Sequence, residues 1–316
     1  MKFILTSLLV WMSCTVFAQS EYLRFIDYTI AQPLINPATM GVEEGWNGLM
    51  MYQSCFEKTD YRPALGAFNI NSSIKDKNLG GGLSIIYDKY GPYQKMAAYL
   101  AGSYKLKVNE GKFLFFGLQA GINYVSNDPS KYVLHDPNET LLMEKIDLSQ
   151  PNFGFGLHFK ADKYFVGFSI PEFLYNYVDN EGKKESGLVS EKLKLYMYGG
   201  YKFDLGKNTK LEPYTYLTYA EQENMKMDLG ARLWYRESLV VGMQYRTKEA
   251  FGVMARVKLF EELWLGYAFE NNSEAAPNFN SRQEITISFR FGKKGNRSSS
   301  GDSEKYDENI NSIRYF

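Results

Sequence analysis

The sequence predicts an all-β chain, an antiparallel transmembrane β-barrel of about fourteen strands with a plug-like segment before it and a disordered tail after it. Three observations predict this. The first is a period of two. From Met227 the odd positions read Met227, Leu229, Ala231, Leu233, Tyr235, and the even positions Asp228, Gly230, Arg232, Trp234, Arg236. The split recurs down to Ile285, Ile287, Phe289, Phe291 against Glu284, Thr286, Ser288, Arg290. Strand side chains alternate between two faces, so one face here is apolar with aromatic ends and the other small or charged. The second observation is regular spacing. Candidate strands fall at 46–56, 65–73, 79–88, 95–107, 112–125, 152–161, 163–170, 193–204, 209–220, 226–236, 238–246, 250–259, 262–270 and 282–291. Several reach the roughly 9–11 residues that a tilted strand needs to cross a bilayer. The third is an export signal on a chain with no disulfide framework.

In order along the chain, residues 1–18 read as a secretory signal peptide. Lys2 is its charged start, Phe3 to Trp11 its apolar stretch, and Val16-Phe17-Ala18 its cleavage site before Gln19. A lipoprotein signal with Cys14 as acceptor is the alternative, but Trp11-Met12-Ser13 is a poor lead-in to it. After cleavage only Cys55 remains, so no intramolecular disulfide can form and stability must come from another source, such as a closed hydrogen-bonded barrel. Residues 19–45 precede the barrel. Pro33-Leu34-Ile35-Asn36-Pro37-Ala38 has two prolines and no period, so it is not a central strand; a linker and a plug or docking segment both remain open.

The barrel occupies 46–291. Its connections fall into two classes. The longest, at about 126–151, 171–192 and 271–281, share one end, and the short turns at 74–78, 108–111, 205–208 and 260–261 share the other. Short periplasmic turns and long outside loops are the usual barrel asymmetry, which places both ends of an even-stranded chain in the periplasm. Asn109-Glu110-Gly111 and Gly206-Lys207-Asn208 are hairpin formers. The polar residues 292–316 form a tail ending in Arg314, Tyr315 and Phe316. The apolar Leu34, Ile35 and Met40 would be wasted in a free linker, so the N-terminal segment is expected to pack in the lumen or across its periplasmic mouth, with Pro37 and Gly41 setting its turn.

Composition excludes several functions. Lys+Arg 36 against Asp+Glu 36 leaves no basic bias, so nucleic acid is not expected as a partner. The 25 tyrosines and 22 phenylalanines suit the aromatic girdles of a barrel in outer-membrane lipid. Neither histidine points to catalysis. His158 falls on the polar, lumen face of a strand, with no serine to partner it, and His135-Asp136-Pro137-Asn138-Glu139 is better read as turn chemistry than as a calcium loop. Gly80-Gly81-Gly82 lacks the Lys-Ser/Thr of a phosphate loop. No enzyme activity, metal or cofactor is expected.

An ordered set of motifs resembles the PorP/SprF family of Bacteroidetes. They are Pro33-Leu34-Ile35-Asn36-Pro37-Ala38 with Gly41, Gly82 to Ile86 followed by Asp88-Lys89-Tyr90-Gly91-Pro92, Gly117 to Tyr124, Pro151-Asn152-Phe153-Gly154-Phe155-Gly156, Val166 to Pro171, and the ending Arg314-Tyr315-Phe316. Thr39-Met40 stand where the family more usually has Tyr-Ala, and Tyr87 where it has Asn. The resemblance implies a non-enzymatic outer-membrane barrel of the type IX secretion system, linked to gliding through export or surface attachment of adhesins. It implies partners in the periplasmic ring, in peptidoglycan-binding lipoproteins and in the C-terminal domain of a secreted adhesin or other cargo. It includes the loop motif Asp88, Lys89, Gly91 and Pro92. Independently of it, partner or plug contacts are expected at Pro33, Asn36, Pro37 and Gly41, and Arg314, Tyr315 and Phe316 are expected to dock a periplasmic partner or to be read during barrel assembly, with Phe291 competing as the assembly signal. The competing reading is a small-solute porin or uptake channel. Bulky inward residues such as Tyr196, Tyr198 and Trp234 favour an occluded lumen over a wide one.

Overall fold

A computed structural model describes residues 25–55, 62–74, 77–128, 145–178, 184–187, 193–220, 225–247, 250–272 and 281–292. The signal peptide, the His135–Glu139 cluster and Arg314, Tyr315 and Phe316 lie outside the described residues. A short helix α1 (Gln32–Ile35) and a 3-10 turn (Pro37–Thr39) come first. Then follow β1 (Trp46–Cys55), β2 (Ala64–Ser73), β3 (Leu79–Tyr90), β4 (Tyr93–Asn109), β5 (Lys112–Asn127), β6 (Ile146–Lys160), β7 (Tyr164–Ile170), β8 (Tyr175–Val178) and β9 (Lys184–Gly187). The rest are β10 (Leu195–Tyr201), β11 (Phe203–Gly206), β12 (Thr209–Tyr219), β13 (Lys226–Tyr235), β14 (Leu239–Arg246), β15 (Ala250–Lys258), β16 (Leu263–Asn272) and β17 (Ser281–Phe291).

Strands β10 and β11 are separated by Lys202 alone and both pair with β12, so they form one interrupted strand. With that pair joined, the large sheet has 14 antiparallel strands in sequence order. It closes where β1 pairs β17, in register from Trp46↔Phe291 to Cys55↔Arg282. Closure removes the free edges that an open sheet would expose to lipid. The small hairpin β8–β9 is not part of the wall. It lies in the stretch 171–192, which the sequence predicts as plain loop.

The alternation sorts as the sequence requires, inside out relative to a soluble protein. Leu229, Val241, Met243, Phe251, Leu265, Ile285 and Ile287 are exposed, while Asp228, Arg232, Gln244, Arg246, Arg256, Glu270 and Glu284 are buried. In lipid the exposed apolar face is the stable one, and the polar face must find partners inside. Strand β6 begins at Ile146, several residues before the predicted 152. Its outward residues there are Asp147 and Ser149, both polar and neither of them buried. Above the hydrocarbon the outward face no longer needs apolar residues, so the alternation signal fades before the strand ends.

Ile287 is 41% exposed on the outer face and Ser288 is 1% exposed on the inner one. An arginine on the lipid face at mid-membrane costs roughly 2–4 kcal/mol. Ile287→Arg is therefore expected to lower the yield of folded barrel, read as the fraction that shifts mobility on heating in gel electrophoresis. Ile287→Val should leave that fraction unchanged.

Candidate functional site

The lumen contains the N-terminal segment. Phe25, Ile26, Leu34, Ile35, Asn36, Ala38 and Met40 are all buried inside the barrel wall. The segment is proline-rich and short of regular structure, so its own backbone groups need partners elsewhere. The wall supplies them. Arg246 Nη2 donates to Phe25 O at 2.9 Å. Glu284 accepts from Ile26 N at 2.9 Å and from Asp27 N at 3.2 Å. Ser169 Oγ donates to Ile35 O at 2.8 Å, and Ser103 Oγ donates to Met40 O. Gly41 N donates to Asn71 Oδ1 at 3.1 Å.

Side chains add a second set of anchors. Asn36 caps the 3-10 turn by accepting from Ala38 N at 2.9 Å. Its Nδ2 donates to Leu157 O and to Tyr198 Oη, each at 2.9 Å. Tyr198 also meets His158 Nδ1 at 3.2 Å, so both of these lumen residues belong to the seat. Gln32 Nε2 donates to Tyr216 Oη at 2.8 Å. Tyr28 stacks on Tyr216 and Tyr216 on Tyr198, with ring centroids 5.2 and 5.0 Å apart. Arg232 donates to Thr29 Oγ1 and pairs with Glu212, and Arg256 Nε lies 3.5 Å from Asp27 Oδ2.

The wall opposite these bulky residues is cut back to glycine. A Cβ on Gly117 would lie 2.0 Å from Ala38 N, and one on Gly156 would lie 1.9 Å from Asn36 Oδ1. Gly80 and Gly82 similarly clear Met40. Glycine in a strand often marks a bend; here these glycines make room for the segment. Pro33 lies in the first turn of α1, and Pro37 opens the 3-10 turn. Gly41 takes φ +69 where the chain leaves the lumen, and a Cβ there would sit 2.8 Å from Ser72 O and Gly80 Cα. Pro33, Asn36, Pro37 and Gly41 thus occupy one continuous seat. Asp88, Lys89, Gly91 and Pro92 do not join it. They form the end of β3 and its tight turn into β4, with Gly91 at φ 57, at the mouth with the long loops.

The segment runs between the two mouths of the barrel. Gly41 and Gly45 touch Ser72, Gly80 and Phe291, at the mouth with the short turns. Phe25 instead bonds Arg246, the last residue of β14, where Asp228 and Glu270 also meet it. That cluster adjoins the long-loop connections. Of the two placements expected for the segment, in the lumen or across its periplasmic mouth, the described residues 25–41 take the lumen. The barrel's ends, Trp46 and Phe291, share the short-turn mouth, while Phe25 stands toward the other. The segment is a through-lumen plug rather than a cover on one mouth. Alternation could not reveal this, because the path is set by hydrogen bonds between residues more than 200 positions apart.

Beside the plug, a cavity of about 60 Å³ is lined by Ile30, Pro33, Val42, Asn47, Leu49 and Ser288. Ligand pockets commonly run to about 300–1,000 Å³, so this one does not provide a route for an ordinary solute.

The sequence profile described as "Type IX secretion system membrane protein PorP/SprF" matches residues 18–291. No curated protein matches the chain. Among solved structures, the CymD monoaromatic hydrocarbon channel is similar at a TM-score of 0.51 and 13% identity, over 83% of this chain and 93% of that one. The Pseudomonas putida toluene transporter TodX is similar at 0.51 and 9% identity, over 82% and 92%. At such identities the likeness is one of fold, that of an outer-membrane channel.

Proposed function

Because the chain belongs to the PorP/SprF family of type IX secretion system membrane proteins, a non-enzymatic outer-membrane β-barrel component, we propose that it serves the export or surface attachment of a gliding adhesin or other cargo. The observation that carries this over the solute-channel reading is the plug, which is hydrogen-bonded to the wall from Phe25 to Gly41. A lumen filled in this way does not conduct small solutes at rest.

In this reading the short-turn mouth faces the periplasm. Trp46 and Phe291 then stand on the side of the secretion ring and the peptidoglycan-binding lipoproteins. The long-loop mouth faces the cell surface, where a cargo's C-terminal domain would be held. Arg314, Tyr315 and Phe316 follow Phe291 in the chain and are assigned to docking on the periplasmic side.

A strain lacking the protein is expected to lose surface-exposed or secreted cargo, measured by mass spectrometry of the medium and cell surface, with its small-solute uptake unchanged. The purified wild-type protein should be closed in planar bilayers. Steady solute-permeable conductance from the wild type, with a normal secretome in the deletion strain, would replace this reading by the channel. Removing residues 312–316 should lower secretion at a normal barrel level.

A further inference from the structure

We propose that the lumen is a polypeptide-binding tunnel, in which the plug is the resident ligand and an extended segment of a second polypeptide can take its place. The proposal rests on the secretion reading only for the source of that polypeptide. Its chemistry comes from the wall.

The wall holds the plug by its main chain as well as by its side chains. Six main-chain groups are bonded by wall side chains: Phe25 O, Ile26 N, Asp27 N, Ile35 O, Met40 O and Gly41 N. The partners are donors for carbonyls and acceptors for amides, distributed from one mouth to the other. Every polypeptide carries these groups, whereas a sugar, lipid or hydrocarbon does not carry them at this spacing.

Arg256 is the second, independent observation. It is 2% exposed, yet its Nε, Nη1 and Nη2 have no hydrogen-bond partner among the described residues. Its nearest anion, Asp27, is on the plug, at 3.5 Å. A buried guanidinium with unmet donors is costly. An occupant that brings carbonyl or carboxylate oxygens to it would be held better than the plug is at this point. The plug does not meet those donors.

The test uses the purified full chain and fluorescent synthetic peptides. One peptide has the sequence of residues 25–41, a second has the same composition scrambled, and a third is the scramble with N-methylated amides. The resident plug competes at high local concentration, so the binding protein is the double variant Gln32→Ala, Asn36→Ala. It loses side-chain anchors of the plug and keeps the wall groups that bond the main chain. Fluorescence anisotropy is expected to show both unmethylated peptides binding this variant comparably. Each should bind it at least about tenfold more tightly than it binds wild type, a difference of about 1.4 kcal/mol. The N-methylated peptide should bind weakly. Glu284→Ala with Ser169→Ala in the same background should weaken both good binders.

Binding of the plug sequence alone would overturn the proposal, since the wall would then be reading side chains. So would solute conductance by the double variant without peptide binding, which is the behaviour of a channel. If the double variant gives no heat-shifted band, Asp27→Ala replaces it with the same peptides, and the same two results would overturn the proposal. Peptide binding is measured on purified protein and cargo export in the deletion strain, so failure of the tunnel and failure of the secretion reading are separate results.

Discussion

Gly117→Val is expected to expel the plug while leaving the barrel standing. Gly117 lies on the inner face of β5 between the exposed Phe116 and Leu118. Its own strand has nothing against valine, which favours extended backbone. The obstacle is across the lumen. The first added carbon would lie 2.0 Å from Ala38 N, 2.3 Å from Pro37 C and 2.4 Å from Ala38 Cα. These are main-chain atoms in a turn fixed by Pro37 and by the Asn36 cap, so no side-chain rotation relieves the clash. The cost exceeds the roughly 1–3 kcal/mol of ordinary core overpacking, because a whole segment must move. Planar-bilayer recording should show large steady conductance from Gly117→Val where the wild type is closed. Gel mobility should show an unchanged fraction of heat-modifiable barrel. Gly66→Val is the matched control, since a Cβ at Gly66 meets nothing within 4 Å. A folded, closed Gly117→Val protein would mean that residues 36–41 are not seated as described.

The same glycine marks the limit of what the sequence discloses. Strands such as β13 to β17 were legible because lipid and lumen make opposite demands on alternate residues, and Leu265 and Glu284 obey them. Family membership was legible in the ordered motifs. The reason for the motifs was not. Gly117 lies on β5, Gly154 and Gly156 on β6, and only the closed barrel turns them all toward Asn36, Pro37 and Pro171. Inward glycines occur on both sides of the lumen, Gly230, Gly242, Gly252 and Gly266 on β13 to β16 among them, and there a Cβ would meet other wall groups rather than the plug, so glycine on the polar face does not by itself mark the seat. The plug's direction had no signal either, since a proline-rich stretch without period gives no register. The interruption at Lys202 was also hidden. Its buried ammonium lies 3.6 Å from Glu212, a pairing across strands that alternation does not encode.

Arg246→Met is expected to produce the largest loss of stability among single lumen substitutions. Arg246 is 2% exposed and uses its planar fork in three directions. Nε meets Asp228 Oδ1 at 2.6 Å, Nη1 meets Glu270 Oε2 at 3.0 Å, and Nη2 donates to Phe25 O at 2.9 Å. The guanidinium thus ties β13, β14 and β16 to the upper end of the plug. Methionine preserves much of the stem's packing and removes the charge. Two deeply buried carboxylates then keep Arg282, which pairs with Glu270, as the near cation of this cluster. Leaving buried charge uncompensated in this way costs about 3–5 kcal/mol. The expected readout is a clear fall in the temperature at which the purified barrel loses its heat-modifiable band. Arg246→Lys should fall in between, because an ammonium keeps the charge without reaching three partners in three directions. Adding Asp228→Asn to Arg246→Met should recover part of the loss, since it removes one of the stranded charges. A Met variant as stable as wild type, or a double variant no better than the single, would show that this cluster does not hold the plug to the wall.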